Sequence, residues 1–369
     1  MDSSKFNMYK SAADISNLVM KKAIELCHQK MKASYICTFC DSLINEKLNL
    51  TYKKLSKGIM LPTCLSINSI ISHDSYTEND DYELKDGDIV RIELACHIDN
   101  NAASIGETIK IGDLDWNNSN QMISALKAMQ IGIQIIKPGL EIIEFKKYIE
   151  KVVSKFGYYL VQRPNVFHDP DTTIFYDWCF RDNGLFCEPS WVVRKEKELD
   201  IYDIDEMSDD EYDKENIFSV GEIYHLSVCI STNPKPAFES NRRTKIYQKT
   251  MNTYNLKSKA SRELLNYVNK NYNNRCFKIN ELEMPEPRAR LSLSECLNHS
   301  IIRGFGVVEQ SNSEIVLLKC SIAIQSNNVY KLTGDKFNEL ETSDKLNDEL
   351  NNILKYPKQF DKRDDYLDL

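Results

Sequence analysis

The 369-residue sequence lacks several features that would assign it to a specialised class of protein. No segment approaches the about 18 apolar residues of a membrane span, and residues 1–10 contain no apolar core of a secretory signal. Only 12 glycines are present, which excludes a collagen. Because 42% of the residues are hydrophobic and 28% are charged, the chain can form a sizeable core and is not disordered. The length predicts about two or three domains, or one large α/β domain with insertions.

The cysteines lack the pattern of a disulfide framework or of a metal site. There are 11 of them, an odd number scattered among apolar neighbours, which indicates a reducing compartment. Cys37 and Cys40 form the only CxxC, and neither a second pair nor a histidine pair at ligand spacing accompanies them. We predict that both lie on one buried helix face. Signatures of nucleophilic and nucleotide sites, such as GxSxG, the P-loop and HExxH, are absent as well.

Charge is distributed unevenly, although the net charge is only −8. Residues 196–216 contain eleven acids and two lysines, which indicates an acidic surface loop. Residues 242–278 contain ten basic residues, four interleaved tyrosines and a single acid, Glu263. Such a segment can bind phosphates by charge and bases by stacking, so it favours contact with a polyanion over a solvated basic face without a partner. The basic residues are Arg242, Arg243, Lys245, Lys249, Lys257, Lys259, Arg262, Lys270, Arg275 and Lys278.

Hydrophobic periodicity predicts that helices and strands alternate along the chain. Apolar residues at helical spacing predict helices over 9–29, 35–47, 121–136, 144–156, 261–271 and 291–299. Alternating or continuous apolar runs predict strands over 57–71, 89–94, 102–111, 223–231 and 315–324. Residues 335–369 are polar, with a weakly amphipathic helical pattern. The order of elements predicts an α+β fold built from two similar halves.

Several strings, in this order and spacing, carry a resemblance to a known family. They are residues 57–63, 84–92, 137–139, 243–247, 254–262 and 289–296. The chain resembles the methionine aminopeptidases and creatinases of peptidase family M24, and most of all their non-catalytic, proliferation-associated (ErbB-binding) branch, over about residues 8 to 355. The resemblance implies a pita-bread domain over 8–330, with a curved antiparallel sheet and outer helices. The acidic loop and a basic helical insertion over 242–288 lie within it, and a polar helix and tail follow over 335–369.

The same resemblance implies that the metal site of the family is degenerate here. Hydrolysis in the family requires two metals held by two Asp, one His and two Glu, and these positions fall on Glu93, Ser104, His168, Ser227 and Lys319. A lysine at such a position repels a cation by about 4 kcal/mol per unit charge at about 4 Å. We therefore expect no metal, no cofactor and no peptidase activity, and we expect Glu93 to pair with Lys319. His73 matches the substrate-side histidine and is either a remnant of the substrate site or a structural residue; we expect His97 to be structural.

The resemblance also implies a binding function. The expected partner is the large ribosomal subunit beside the nascent-peptide exit, with the basic segment on rRNA and further contacts to proteins around the tunnel mouth. We expect a cytoplasmic monomer that does not bind membranes, and leave nuclear and nucleolar presence open. The alternatives are a nuclear-export or assembly factor of immature large subunits, a histone- or peptide-binding pseudo-aminopeptidase and, less favoured, an active metallo-aminopeptidase.

Overall fold

Helices and strands alternate along the chain, as the periodicity predicted. The computed structural model describes residues 3–161, 179–182, 217–250, 252–273, 275–326, 328–334 and 343–355. The helices are α1 Ser3–Leu26, α2 Ala33–Leu50, α3 Asn120–Ile135, α4 Ile142–Lys155, α5 Lys259–Asn271, α6 Glu286–Asn298 and α7 Asp348–Lys355. None of the helices in these segments has the length and hydropathy of a membrane span.

The strands are short except for five that build the centre of the fold. They are β1 Lys57–Ile67, β2 Ile70–Ser72, β3 Ile89–Ile98, β4 Asn101–Lys110, β5 Tyr159–Leu160, β6 Cys179–Asp182, β7 Ile223–Ser231, β8 Phe238–Glu239, β9 Ile246–Lys249, β10 Cys276–Lys278, β11 Ile302–Phe305, β12 Val308–Glu309, β13 Ile315–Ile324 and β14 Val329–Lys331. The acidic segment 196–216 lies outside the described residues, as do 335–342 and 356–369 of the predicted tail.

An eight-stranded antiparallel sheet organises the fold. Its order is β1-β3-β4-β13-β7-β5, with β14 beside β13 and β6 beside β7. Helices α1 and α2 pack on one half of the sheet, against β1, β3 and β4, and helix α3 packs on the other half, against β7 and β13. We call the helix-covered side the outer face and the opposite side the inner face. These two halves, each a set of strands under outer helices, confirm the predicted pita-bread fold.

Local sequence explains where these elements begin, end and point. In β3, Ile92, Leu94 and Cys96 join the core under α1 and α2, so the alternate residues of this strand lie on the inner face. Helix α3 begins at a cap in which the Ser119 hydroxyl accepts a hydrogen bond from the Met122 amide at 3.2 Å. It ends just before Pro138 and Gly139, and Gly139 has a φ of 82°.

The basic segment forms, together with α6 and β11, a small module with its own core. Leu264 and Val268 of α5, Leu293 and Cys296 of α6, and Phe277 of β10 are buried together there. Strands β10, β9 and β11 form a separate three-stranded sheet beneath the two helices. The module docks on the edge strand β1, where the guanidinium of Arg275 donates to the Lys57 carbonyl oxygen at 3.2 Å. A Cβ on Gly58 would overlap that guanidinium, so a larger residue there would displace the Arg275 side chain.

Cysteines serve as core residues throughout the described part of the chain. Cys37 and Cys40 are both buried on α2, in agreement with the prediction. Each described cysteine whose side chain is placed is a free thiol, and only Cys27 is not fully buried. Burial raises the pKa of Cys37 to about 11 and that of Cys96 to about 12.

Candidate functional site

Strand register places four of the predicted metal-ligand positions side by side on the inner face of the sheet. We call Glu93, Ser104, Ser227 and Lys319 the row. Glu93 of β3 is opposite Gly106 of β4, which is opposite Lys319 of β13, which is opposite Ser227 of β7. Ser104 lies on β4 two residues before Gly106, so its side chain points to the same face. The fifth position, His168, lies outside the described residues.

A buried ion pair occupies the centre of this row. The Lys319 ammonium lies 2.5 Å from Oε1 of Glu93, and the Glu93 side chain is 0% exposed. Gly106 makes the approach possible, because a Cβ there would lie only 3.1 Å from Cβ and Cγ of Lys319. The predicted pairing of Glu93 with Lys319 is thus present, and the positive group lies beside the carboxylate at the first predicted ligand position.

His225 joins the row through the hydroxyls beside it, and the sequence analysis missed this residue. Its Nδ1 lies 3.0 Å from Oγ of Ser104 and 2.8 Å from Oγ of Ser321. Burial, and after it the charge of Lys319, lowers the pKa of His225 to about 3. The imidazole is therefore neutral at neutral pH. The signal available in the sequence was the period of two along β7, since His225 precedes Ser227 by two residues.

Two further histidines have structural contacts. His97 is buried on β3, where its Nδ1 accepts a hydrogen bond from the Asn100 amide at 3.2 Å. Burial and then the charge of Arg275 lower the pKa of His97 to about 3. His73 has a positive φ of 66°, and its Nδ1 lies 3.3 Å from the Gly306 carbonyl oxygen. Its ring packs edge-on against Phe305, with centroids 5.5 Å apart.

The neutral histidines predict a loss of stability on mild acidification. An unfolded chain binds a proton at each histidine as the pH falls below about 6.5, whereas folded His97 and His225 bind one only near pH 3. Stability is therefore highest above pH 6.5 and should fall by about 2 kcal/mol per histidine between pH 7.5 and 5. Urea titrations across this range measure the slope. The variant His225→Gln should show a smaller slope, and an unchanged slope would show that His225 is charged in the folded protein.

No group of three or more His, Cys, Asp or Glu side chains that could hold a metal ion occurs among residues 3–161, 217–250 and the other described segments. In the row itself, one carboxylate is neutralised by an ammonium group and the remaining polar side chains are hydroxyls and a neutral imidazole. Carboxylates are the groups that bridge and balance two divalent ions. Among the described residues of the row, one carboxylate could bind a metal, and it is already in an ion pair with a lysine.

Four cations of the basic insertion are engaged within the fold. Lys278 is buried with its ammonium 2.5 Å from Oδ2 of Asp41. Burial acts against its charged form, but Asp41 together with the other acidic groups nearby outweighs burial and raises the Lys278 pKa. Lys245 is also buried, 3.0 Å from Oδ1 of Asp74, and Arg242 lies 2.9 Å from Oδ2 of the same carboxylate. With Arg275 bonded to β1, these residues attach the insertion to the sheet.

Four of the other six cations lie on α5 and the segment before it, and Arg243 and Lys249 lie at β9. Arg243, Lys257, Lys259, Arg262 and Lys270 are exposed, and Lys249 is half-buried. The side chain of Lys259 is 85% exposed, with only a loose contact to Glu263 at 3.9 Å. Arg262 also has an internal role, because its guanidinium donates to the carbonyl oxygens of Leu256 at 2.7 Å and Lys257 at 2.8 Å. We call these six cations the basic surface.

Comparison with known proteins agrees with the fold. Residues 7–176 match the metallopeptidase family M24. The chain is 28% identical over 343 residues to ERBB-3 binding protein 1 of Arabidopsis thaliana, which covers 90% of this chain and 81% of that protein. It is 28% identical over 339 residues to proliferation-associated protein A of Dictyostelium discoideum, covering 89% and 82%. A solved thermophilic Arx1 superposes with a TM-score of 0.76 at 20% identity, covering 97% of this chain and 99% of that one.

The chain accordingly has the pita-bread fold, and its residues 7–176 are similar to the M24 metallopeptidases. Within this class it is similar, along nearly its whole length, to the proliferation-associated and ErbB-3-binding proteins. The resemblance inferred from the sequence strings is thereby confirmed.

Proposed function

We propose that this protein is a catalytically inactive relative of the methionine aminopeptidases. It binds the large ribosomal subunit beside the nascent-peptide exit, and its basic surface contacts rRNA while other faces meet proteins around the tunnel mouth. It acts as a monomer in the cytoplasm and needs no metal or cofactor. The family resemblance supports the ribosomal partner, and the charges of the insertion support RNA as the ligand.

The Glu93–Lys319 ion pair is the observation that carries the proposed inactivity. The ammonium lies 2.5 Å from the carboxylate that would be the first metal ligand. A cation placed about 4 Å from Lys319 would be repelled by about 4 kcal/mol per unit charge at an effective dielectric of 20. The serines at positions 104 and 227 add no compensating negative charge. Two divalent ions are therefore disfavoured both by repulsion and by the lack of anionic ligands.

The basic surface supports RNA binding because, among the described residues, its three lysines Lys257, Lys259 and Lys270 have no ion pair closer than the 3.9 Å contact of Lys259 with Glu263. Lys257, Lys259 and Lys270 extend from α5 and the preceding segment, where the one acid within 242–278 is Glu263. Each phosphate neutralised by a lysine releases a condensed counterion, so affinity depends steeply on salt. A protein that makes about six such contacts loses about a thousandfold in affinity between about 50 and 200 mM salt.

Sedimentation of cell lysate through sucrose gradients tests the ribosomal proposal. The protein should comigrate with large subunits or whole ribosomes at low salt and should leave them at raised salt. The triple variant Lys257→Glu, Lys259→Glu, Lys270→Glu should stay at the top of the gradient at low salt, because it places three carboxylates against phosphates. Arg262 is left unchanged, since its guanidinium holds the backbone of the preceding segment.

A matched variant carries the same change in charge on another part of the fold. Lys147 and Lys155 on α4 and Lys355 on α7 are exposed and far along the sheet from the insertion, so their change to glutamate should leave sedimentation unchanged. Equal loss in both variants would mean that only total charge matters. If the wild-type protein remains at the top of the gradient at every salt concentration, the proposed ribosomal function is wrong. Comigration with free immature subunits alone would favour the export or assembly alternative.

A peptidase assay tests the proposed catalytic inactivity. Purified protein with added cobalt or manganese should leave a methionine-initiated peptide uncleaved. Metal-dependent release of methionine would instead support the alternative that the protein is an active aminopeptidase.

A further inference from the structure

Two aromatic rings stack face to face at the surface of the basic insertion. The rings of Tyr254 and His299 lie 3.5 Å apart between centroids, with an angle of 11° between their planes. Tyr254 is 39% exposed and His299 is exposed as well. Because each ring has one face covered by the other, the remaining exposed area belongs to the outer faces and edges. Large aromatic side chains normally bury such area, so this exposed stack requires an explanation.

Both rings are carried by backbone that is held in place. On the Tyr254 side, Asn252 donates from its side chain to the Ser300 carbonyl oxygen at 3.2 Å, and Leu256 is buried in the module core. The carboxylate of Glu295 then accepts from the amides of Lys257 at 2.6 Å and Ser258 at 3.1 Å. On the other side, His299 follows directly after α6 as its C-cap. The stack is thus presented on a fixed support, which reduces the entropy lost when a ligand binds to it.

The surroundings of the stack are positively charged. Lys257 is three residues from Tyr254 and is exposed, and Lys259 follows at the start of α5 with an exposed side chain. A neighbouring carboxylate, Glu295, accepts hydrogen bonds from the Ser261 side chain and from the amides of Lys257 and Ser258, and these hydrogen bonds lower its pKa. A ligand that presents a flat ring together with negative charge therefore fits this place.

We propose that the Tyr254–His299 stack is a nucleobase-binding site, where an unpaired base of RNA stacks on the exposed ring face while the neighbouring lysines contact its phosphates. Every base offers a flat π-face when it is unpaired, whereas a paired base within a helix has both faces covered by its neighbours. The stack thus selects bulged or looped nucleotides. This inference rests on the proposed RNA-binding function and adds to it the class of nucleotide that is recognised.

Two RNA hairpins of equal length and charge, each closed by a linker without bases in place of the loop, test the site with the purified full-length protein. One carries a single bulged 2-aminopurine, and the other has the same fluorescent base fully paired. The wild-type protein should bind the bulged hairpin more tightly and quench its fluorescence. Tyr254→Ala should lower affinity for the bulged hairpin by about five- to a hundredfold, abolish the quenching and leave affinity for the paired hairpin unchanged. Tyr254→Phe, which keeps the ring, should behave like the wild type.

The outcomes separate this inference from the function beneath it. The unchanged affinity of Tyr254→Ala for the paired hairpin also shows that the variant is folded. If the wild type binds both hairpins equally and Tyr254→Ala changes nothing, the base-binding site is wrong while phosphate binding stands. The triple variant of Lys257, Lys259 and Lys270 should lose both hairpins together. If the wild type binds neither hairpin, both the site and the proposed RNA function are overturned.

Discussion

Replacing Lys319 by methionine should lower the free energy of unfolding by about 3–5 kcal/mol. The substitution keeps an unbranched side chain of similar length above Gly106 but removes the ammonium 2.5 Å from Glu93. The Glu93 carboxylate, which is 0% exposed, would then be buried without its ion-pair partner. Urea titration at neutral pH measures the change. Because the two groups lie on different strands of the central sheet, the loss should affect global unfolding.

A double variant separates the ion pair from simple packing. Glu93→Gln together with Lys319→Met removes both charges, so it should recover most of the stability lost by the single variant. Lys355→Met, an exposed lysine on α7, serves as the control and should change stability by less than about 0.5 kcal/mol. If Lys319→Met is as stable as the wild type, the Glu93 charge is neutralised in another way, and the ion pair does not stabilise the fold.

Replacing Asp41 by asparagine should cost a similar amount, about 3–5 kcal/mol, and should loosen the insertion first. The Asp41 carboxylate accepts from the amide of Thr63 at 2.8 Å and from its hydroxyl at 2.7 Å, and it lies 2.5 Å from the Lys278 ammonium. It thus connects α2, β1 and β10. Asparagine has almost the same shape, but it leaves the buried ammonium with only the more distant Glu281 carboxylate, 3.9 Å away, and turns an amide donor toward it or toward Thr63.

Amide hydrogen exchange locates the effect of this change. Protection in β9, β10 and β11 should fall before protection in β7 and β13, because Lys278 belongs to the module and not to the central sheet. Adding Lys278→Met to Asp41→Asn should restore much of the stability. Uniform loss of protection over both sheets would contradict a local role in docking.

The strands with continuous apolar sequence were the easiest to predict. The predicted bounds of β7 and β13, 223–231 and 315–324, agree with the structure, because both strands are buried on both faces. Helix α6 was predicted from residue 291 and begins at Glu286. Its first turn is polar and contains prolines, so apolar periodicity appears only further along, although proline near the start is itself a helix signal.

The contacts of the candidate site also differ in how well the sequence predicts them. The Glu93–Lys319 pair followed from family positions and elementary electrostatics. The Asp41–Lys278 pair joins residues separated by 237 positions, and no spacing rule in one sequence carries such a contact. For the same reason all ten basic residues of 242–278 were assigned to a surface, whereas Lys245 and Lys278 are buried against acids of distant segments. The smaller basic surface is therefore a product of the tertiary structure.

The buried thiols give the protein an internal reporter of its own opening. Cys37 and Cys96 lie in the core beneath α1 and α2, Cys320 lies beneath α3, and Cys296 lies in the core of the insertion. The thiolate is the form of cysteine that reacts with alkylating reagents. Burial and the raised pKa therefore protect these cysteines from alkylation while the chain is folded. As urea increases, the order in which individual cysteines become alkylated would show which core opens first. Mass spectrometry could read this order without any engineered label.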